Sequence, residues 1–302
     1  MDETMSRVVL SVDIGEENEV DVYDVEVAEN HNFFAEGILV HNCHHVSAPS
    51  YRNALLRLPA MYRFGITATP DRADGLGKLV ELAIGPIVFR IEAKDLVKAG
   101  HLVLPRIETI RTECCPQTDD FATLITELTS DVERNALIVR LARREADAGS
   151  SVLILTGRVD HADLLARKCL AFGAPAAALT SKTPKKQRES TLDRFRSGDI
   201  RIVCATTLAD EGLDITRLAR LILATPATAH GRTMQRLGRL MRPHPGKGQP
   251  VLFDIVDDHP MAERQYRERL CAYRTVLGAE AVASSTSPSP GETHADIERT
   301  WT

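Results

Sequence analysis

Residues 151–173 read SVLILTGRVDHADLLARKCLAFG, and the change of period inside this stretch decides the fold. The opening run, SVLILT, is nearly all apolar, as a strand buried on both faces requires. The run that follows, DHADLLARKCLAFG, spaces its apolar residues as a helix does and closes on a glycine. The same unit recurs downstream. AAALT is another strand, the Lys- and Arg-rich PKKQRESTLDRFRSG another helix, and IRIVCAT, RLILAT and PVLFDIV complete the strands. Upstream, Ser130 or Asp131 opens a helix with Leu137, Ile138, Leu141 and Ala142 on one face, stopped at Gly149. Strands and helices alternating in this way specify an α/β domain with a doubly wound parallel sheet over residues 105–283.

Outward from this domain the pattern changes. Residues 43–104 contain a helix (SAPSYRNALLRL), a buried strand (YRFGITAT) ended by Pro70, a helix (GKLVELAIG) and a strand (PIVFRI). EAKDLVKAG follows, with Gly100 placed as the residue just past a helix end, and the chain leaves through HLVLPRIETI. These elements make up a partial domain. Residues 1–42 show short alternating runs, RVVLSVDI, DVYDVEVA and GILV, with an acidic turn at Glu16, Glu17 and Asn18, and specify a short all-β segment. The polar, proline-bearing SSTSPSPGETH marks residues 284–302 as a disordered tail.

Composition removes several classes of function. The 302 residues suffice for two domains, and 43% hydrophobic against 26% charged residues predicts a substantial core. Aromatics at 5% argue against an aromatic-rich binding surface. With 37 Lys and Arg against 42 Asp and Glu there is no broad basic field, so anion binding must rest on local placement. Six cysteines, two of them the neighbours Cys114 and Cys115, make no disulfide framework and point to a reducing, cytoplasmic setting. No apolar run has membrane-spanning length, and the acidic start at Asp2 and Glu3 is unlike a secretory signal.

Ligands of open α/β sheets bind at the carboxyl ends of the strands, so the residues after each strand carry the chemistry. After RLILAT comes TMQRLGRLMRP, where Gln235, Arg239 and Arg242 fall at spacings of four and three, on one face of a helix. Gly238 between them leaves room for a neighbouring surface. Two arginines a turn apart suit an anionic ligand, because guanidinium stays charged and binds phosphate through two parallel N–H groups. The plain alternative is a solvated, Arg-rich helix face. The threonines that follow strands admit two readings as well: ligand contact, or ordinary turn and cap chemistry.

Together, ATTLADEGLDI and QRLGRLMRP resemble the fifth and sixth motifs of superfamily 2 helicases. RFGITATP resembles their third motif and VLILTGRVDHADLL their fourth, all in the family's order. The resemblance is nearest to the DEAH-like, restriction-translocase and repair-helicase branch, which acts on DNA. It implies a RecA-like C-terminal domain in which Arg239 and Arg242 reach the γ-phosphate of ATP across an interdomain cleft. Gly212 and Asp214 would then lie near the ribose and the cleft. Thr67 and Thr69 would link nucleotide state to the nucleic-acid groove, and Thr180 and Thr206 would contact backbone phosphate. The chain has no G-x-x-x-x-G-K-S/T loop, and Gly75-Leu76-Gly77-Lys78 lacks the spacing. ATP and its magnesium ion are therefore expected to be held mainly by a missing N-terminal half, and this chain alone is expected not to hydrolyse ATP.

VYDVEVAENHNFFAEGILVHNC, ending at Cys43, resembles the C-terminal splice blocks of an intein. The resemblance implies that the Asn42 amide attacks its own carbonyl and cleaves the bond to Cys43 as a succinimide forms. His41 would assist at that bond, Cys43 would accept the upstream segment as a thioester, and Asp24 and His31 would support proton transfer. Cys43-His44-His45 directly after Asn42 also matches the end of the helicase family's second motif, Asp-Glu-Cys-His-His, with His44 coupling to Gln235. The rest of that motif would sit on the upstream fragment. A zinc cluster at Cys43, His44 and His45 is the alternative, but no second ligand pair at metal spacing supports it, so no metal site is assigned. The partners implied are an N-terminal helicase and intein half, and DNA rather than RNA, with no membrane. Three readings stay open: half of a spliced helicase, a lone nucleic-acid-binding domain with an inactive intein remnant, and a phosphate-binding metabolic enzyme.

Overall fold

The computed structural model describes residues 32–35, 38–42, 64–66, 77–206, 217–226, 230–278 and 282. The chain divides into two compact units, residues 1–90 and 91–302. In the first unit, β1 (Asn32–Ala35) and β2 (Ile38–Asn42) form an antiparallel hairpin, and β2 pairs in parallel with β3 (Phe64–Ile66). The register sets His41 opposite Gly65 and Asn42 opposite Ile66. Helix α1 (Gly77–Ile84) follows. The expected division at Asn42/Cys43 is thus not a break in compactness, because strands on either side of it share a sheet. The expected strand over PIVFRI is absent. Residues 87–92 are irregular, and Val88 and Phe89 are 90% and 76% exposed. Apolar, β-branched residues favour a strand only when a neighbouring strand accepts their hydrogen bonds, and none among the described residues does.

The second unit is the α/β domain. Helix α2 (Ala93–Lys98) leads into β4 (Arg106–Thr112), α3 (Phe121–Ser130), α4 (Val132–Asp147) and β5 (Ser151–Thr156). There follow α5 (Val159–Ala171), β6 (Ala176–Leu179), α6 (Lys185–Ser197) and β7 (Ile202–Thr206). β8 (Leu218–Leu223), α7 (His230–Leu240), β9 (Val251–Asp257) and α8 (Pro260–Leu277) come next. The six strands lie in the order β4-β9-β8-β5-β7-β6 and every pair is parallel.

Alternation along the strands sorts the core into two layers. Leu153, Leu155, Val203, Ala205, Leu221 and Leu223 face α6, α7 and α8, where Phe195, Leu237, Leu240 and Tyr273 are fully buried. Val152, Ile154, Ile202, Cys204 and Ile222 face α4 and α5, against Ile138, Ala142, Leu165 and Cys169. A strand covered on both sides can use apolar residues at consecutive positions, which explains SVLILT and IRIVCAT. Capping residues bound the helices where the sequence implied. Asp131 caps α4 by accepting from the Arg134 backbone N–H at 2.7 Å, and Gly149 and Gly198 follow α4 and α6 with φ of +90° and +91°.

The domain begins earlier than residue 105. Ala93, Val97, Leu102 and Leu104 pack on the core layer of α6–α8, and the Val103 N–H donates to the Met241 carbonyl at 2.8 Å. Residues 91–104 therefore belong with the second domain rather than with the partial first one. The assignments for residues 47–58 and for the tail at 284–302 lie outside the described residues. Among the described residues, no helix is long and apolar enough to cross a membrane.

Candidate functional site

The strand order identifies where the sheet can hold a ligand. From β5 the chain winds through β6 to β7 on one side, then crosses to β8 and β9 on the other. Connections leaving the carboxyl ends of β5 and β8 run in opposite directions, which opens a crevice there. Its floor is Thr156, Gly157, Ala224 and Thr225, and the Gly157 N–H donates to Thr225 Oγ1 at 2.8 Å.

Beneath that floor lies a buried polar network. Asp257, at the end of β9, pairs with Arg134 through Nε at 2.6 Å and Nη2 at 3.0 Å, and accepts from Thr112 Oγ1 at 2.6 Å. Arg134 Nη2 also donates to the Ala224 carbonyl at 2.8 Å, so one guanidinium ties β9, β8 and α4 together. Both charged side chains are fully buried, and leaving either unpaired would be far costlier than the pair itself. Next to it, Asn135 Nδ2 donates to the Thr129 carbonyl, which turns its Oδ1 toward His161 Nε2 at 2.8 Å. His161 therefore carries its proton on Nε2, and Nδ1 accepts from Thr156 Oγ1 at 2.7 Å.

Burial, with the Arg134 charge adding to it, pushes the His161 imidazole down to about 3. An unfolded chain takes up this proton near pH 6.5, so between those values the unfolded state binds more protons and stability falls as pH falls. The full interval corresponds to roughly 4–5 kcal/mol. His161→Gln, which can still bridge Thr156 and Asn135, is expected to remove most of that acid sensitivity. Urea midpoints at pH 7 and pH 4.5, compared between wild type and variant, measure it; equal losses in both would contradict the assignment.

The arginine helix follows the crevice strand directly. Helix α7 buries Thr233, Arg236, Leu237 and Leu240, and Arg239 is half-buried at its end. Arg242 is not on the helix face as expected. Pro243 cannot continue the helix, the last helical residue is Leu240, and the Arg242 N–H reaches back to the Arg239 carbonyl at 3.3 Å. At Gly238 a Cβ would meet nothing within 4 Å among the described residues, so the helix surface there is open. Gln235 belongs to α7, but its side chain is outside the described set.

Thr206 ends β7 at the carboxyl edge of the sheet, paired with Thr156 of the crevice floor, and its buried hydroxyl has no hydrogen-bond partner among the described residues. Thr180, by contrast, is absorbed in a turn: its Oγ1 accepts from the Lys182 N–H, and its carbonyl from the Thr183 N–H and Arg188. His41 and Asn42 are the last residues of β2, described by backbone alone. Asp24, His31, Cys43, His44, Thr67, Thr69, Gly212 and Asp214 lie outside the described residues. Among the described residues there is no group of three His, Cys, Asp or Glu able to hold a metal ion. Sequence reasoning missed Arg134, Asn135, His161, Asp257 and Lys247. The adjacent polar pair Arg134-Asn135 opening an otherwise apolar helix face was the available signal.

Residues 133–244 match the family model described as the helicase conserved C-terminal domain. The α/β fold with its parallel sheet is that of a RecA-like helicase C-terminal domain. The chain is 26% identical over 263 residues to the DNA 3'-5' translocase XPB2 of Sulfurisphaera tokodaii, covering 75% of this chain and 60% of that one. It is 28% identical over 240 residues to an ATP-dependent RNA helicase of Acanthamoeba polyphaga mimivirus, covering 77% of this chain and 45% of the relative. In fold it resembles the fragment of an HsdR subunit of a type I restriction enzyme from Vibrio vulnificus. That match has a TM-score of 0.58 at 18% identity, over 79% of this chain and 45% of the other. The chain spans about half the length of the curated relatives it matches.

Proposed function

We propose that this chain supplies the second RecA-like domain of an ATP-dependent superfamily 2 DNA helicase or translocase. We further propose that protein splicing at Asn42/Cys43 joins it to the half that holds the nucleotide. The observation that carries the helicase reading is the placement of Arg239 and Arg242. Arg239 stands at the end of α7, the helix that leaves the switch-point strand β8, and Arg242 follows it, both inside the segment 133–244 that matches the helicase C-terminal family model. ATP with its magnesium ion, when bound, supplies the γ-phosphoryl group transferred to water. Arg239 and Arg242 neutralise the charge that develops on that group, and Thr206 offers a hydroxyl to backbone phosphate. DNA is favoured over RNA because the motif resemblance is to the DNA-acting branch and one relative is a DNA translocase.

The splicing reading rests on the residues preceding Cys43. His41 and Asn42 end a β-hairpin, so the scissile bond directly follows a paired strand that holds the Asn42 backbone in place. The helicase reading is tested by whether DNA-stimulated ATP turnover arises only when the upstream half is present.

A further inference from the structure

The end of α7 leaves carbonyls without helical partners, and the described residues satisfy three in succession. Lys247 Nζ donates to the Leu240 carbonyl at 2.8 Å and to the Arg242 carbonyl at 2.7 Å. Between them, the Met241 carbonyl accepts from the Val103 N–H at 2.8 Å. Lys247 is brought back by a tight turn, His244-Pro245-Gly246-Lys247, closed by the Lys247 N–H on the His244 carbonyl at 3.0 Å. Gly246 sits at φ +77°, where a side chain would be strained, and proline precedes it as a turn of this kind favours. The backbone on both sides of Met241 is thus held in place, and Arg242 with it. An extended loop could satisfy the same carbonyls with water. A lysine spanning two of them instead fixes where Arg242 begins.

We infer that Lys247 is a positioning residue for Arg242, acting through the Leu240 and Arg242 carbonyls. The inference rests on the proposed role of Arg242, and the test separates the two. In the full chain, Lys247→Met is expected to speed amide exchange across residues 241–247 about tenfold, with β5 unchanged. Gly246→Ala, which strains the turn without removing the amine, is the second variant should Lys247→Met fold poorly. In the enzyme carrying both halves, Lys247→Met is expected to lower kcat about tenfold with KM for ATP nearly unchanged, since positioning acts on the transition state. Lys247→Arg, able to donate to both carbonyls, is expected to restore most of it. Adding Lys247→Met to Arg242→Ala is expected to cost little more than Arg242→Ala alone, because the two act as a unit. Unchanged exchange, additive losses, or a rise in KM at constant kcat would overturn the inference. If Arg242→Ala itself proved harmless, the proposed function would fail, and the exchange measurement alone would decide whether Lys247 holds the backbone.

Discussion

Arg242→Ala lowers ATP turnover by about 10³–10⁵ in the enzyme that carries both halves, with nucleotide affinity largely kept. The size follows from the role. An arginine that meets charge developing on the transferred phosphoryl group contributes to the transition state and little to the bound substrate. The Leu240 and Arg242 carbonyls on either side of Met241 are tethered by Lys247, which anchors the backbone from which the Arg242 guanidinium extends. Steady-state kinetics with separate kcat and KM checks the expectation. An effect confined to DNA affinity would make the helix a phosphate-backbone contact and place the nucleotide elsewhere.

Substitutions at the splice junction give the other large effects, each with its own signature. Mixed with a matching upstream half, the wild-type chain yields a ligated protein joined at Cys43 and a released fragment ending at Asn42. Asn42→Ala removes the cyclising amide, so a branched intermediate accumulates and no ligated product forms. Cys43→Ala removes the acceptor thiol and no branch forms, although cleavage after Asn42 can continue. His41→Ala slows the last step by about 10²–10⁴, the usual scale of histidine acid–base assistance. Mass spectrometry of the products separates these outcomes. Fully spliced product from Asn42→Ala would end the splicing assignment.

The α/β domain was legible wherever strands are covered on both faces. SVLILT, IRIVCAT and PVLFDIV announce themselves because every position of the strands they form, β5, β7 and β9, is buried, and their helices because one face is apolar. Helix α3, FATLITELTS, was missed: its threonines and isoleucine weaken helix propensity, and Asp120, which caps it, resembles a turn residue. Helix α8 was missed for a different reason. Its buried face includes Arg269, which Asp254 engages with two hydrogen bonds at 2.7 and 2.9 Å and which reads in sequence as a solvent residue. PIVFRI failed in the opposite sense, since a strand depends on partners that a linear pattern does not contain.

At the site, the motif arginines were visible as a spacing. The buried polar groups at the carboxyl ends of the strands were not. Arg134, Asp257 and His161 come from elements separated by up to 123 residues, and only the parallel sheet brings Arg134 to Asp257. Lys247 was hidden by the turn that reverses it, five residues beyond Arg242.

The central claim is that this chain is the arginine-bearing half of an ATPase whose nucleotide is held elsewhere. Its most direct test is ATP turnover with single-stranded DNA, measured for this chain alone and for the same chain joined to the upstream half. Background turnover alone and DNA-stimulated turnover after joining are the expected results. Robust turnover by the chain alone, or none after joining, would contradict the claim.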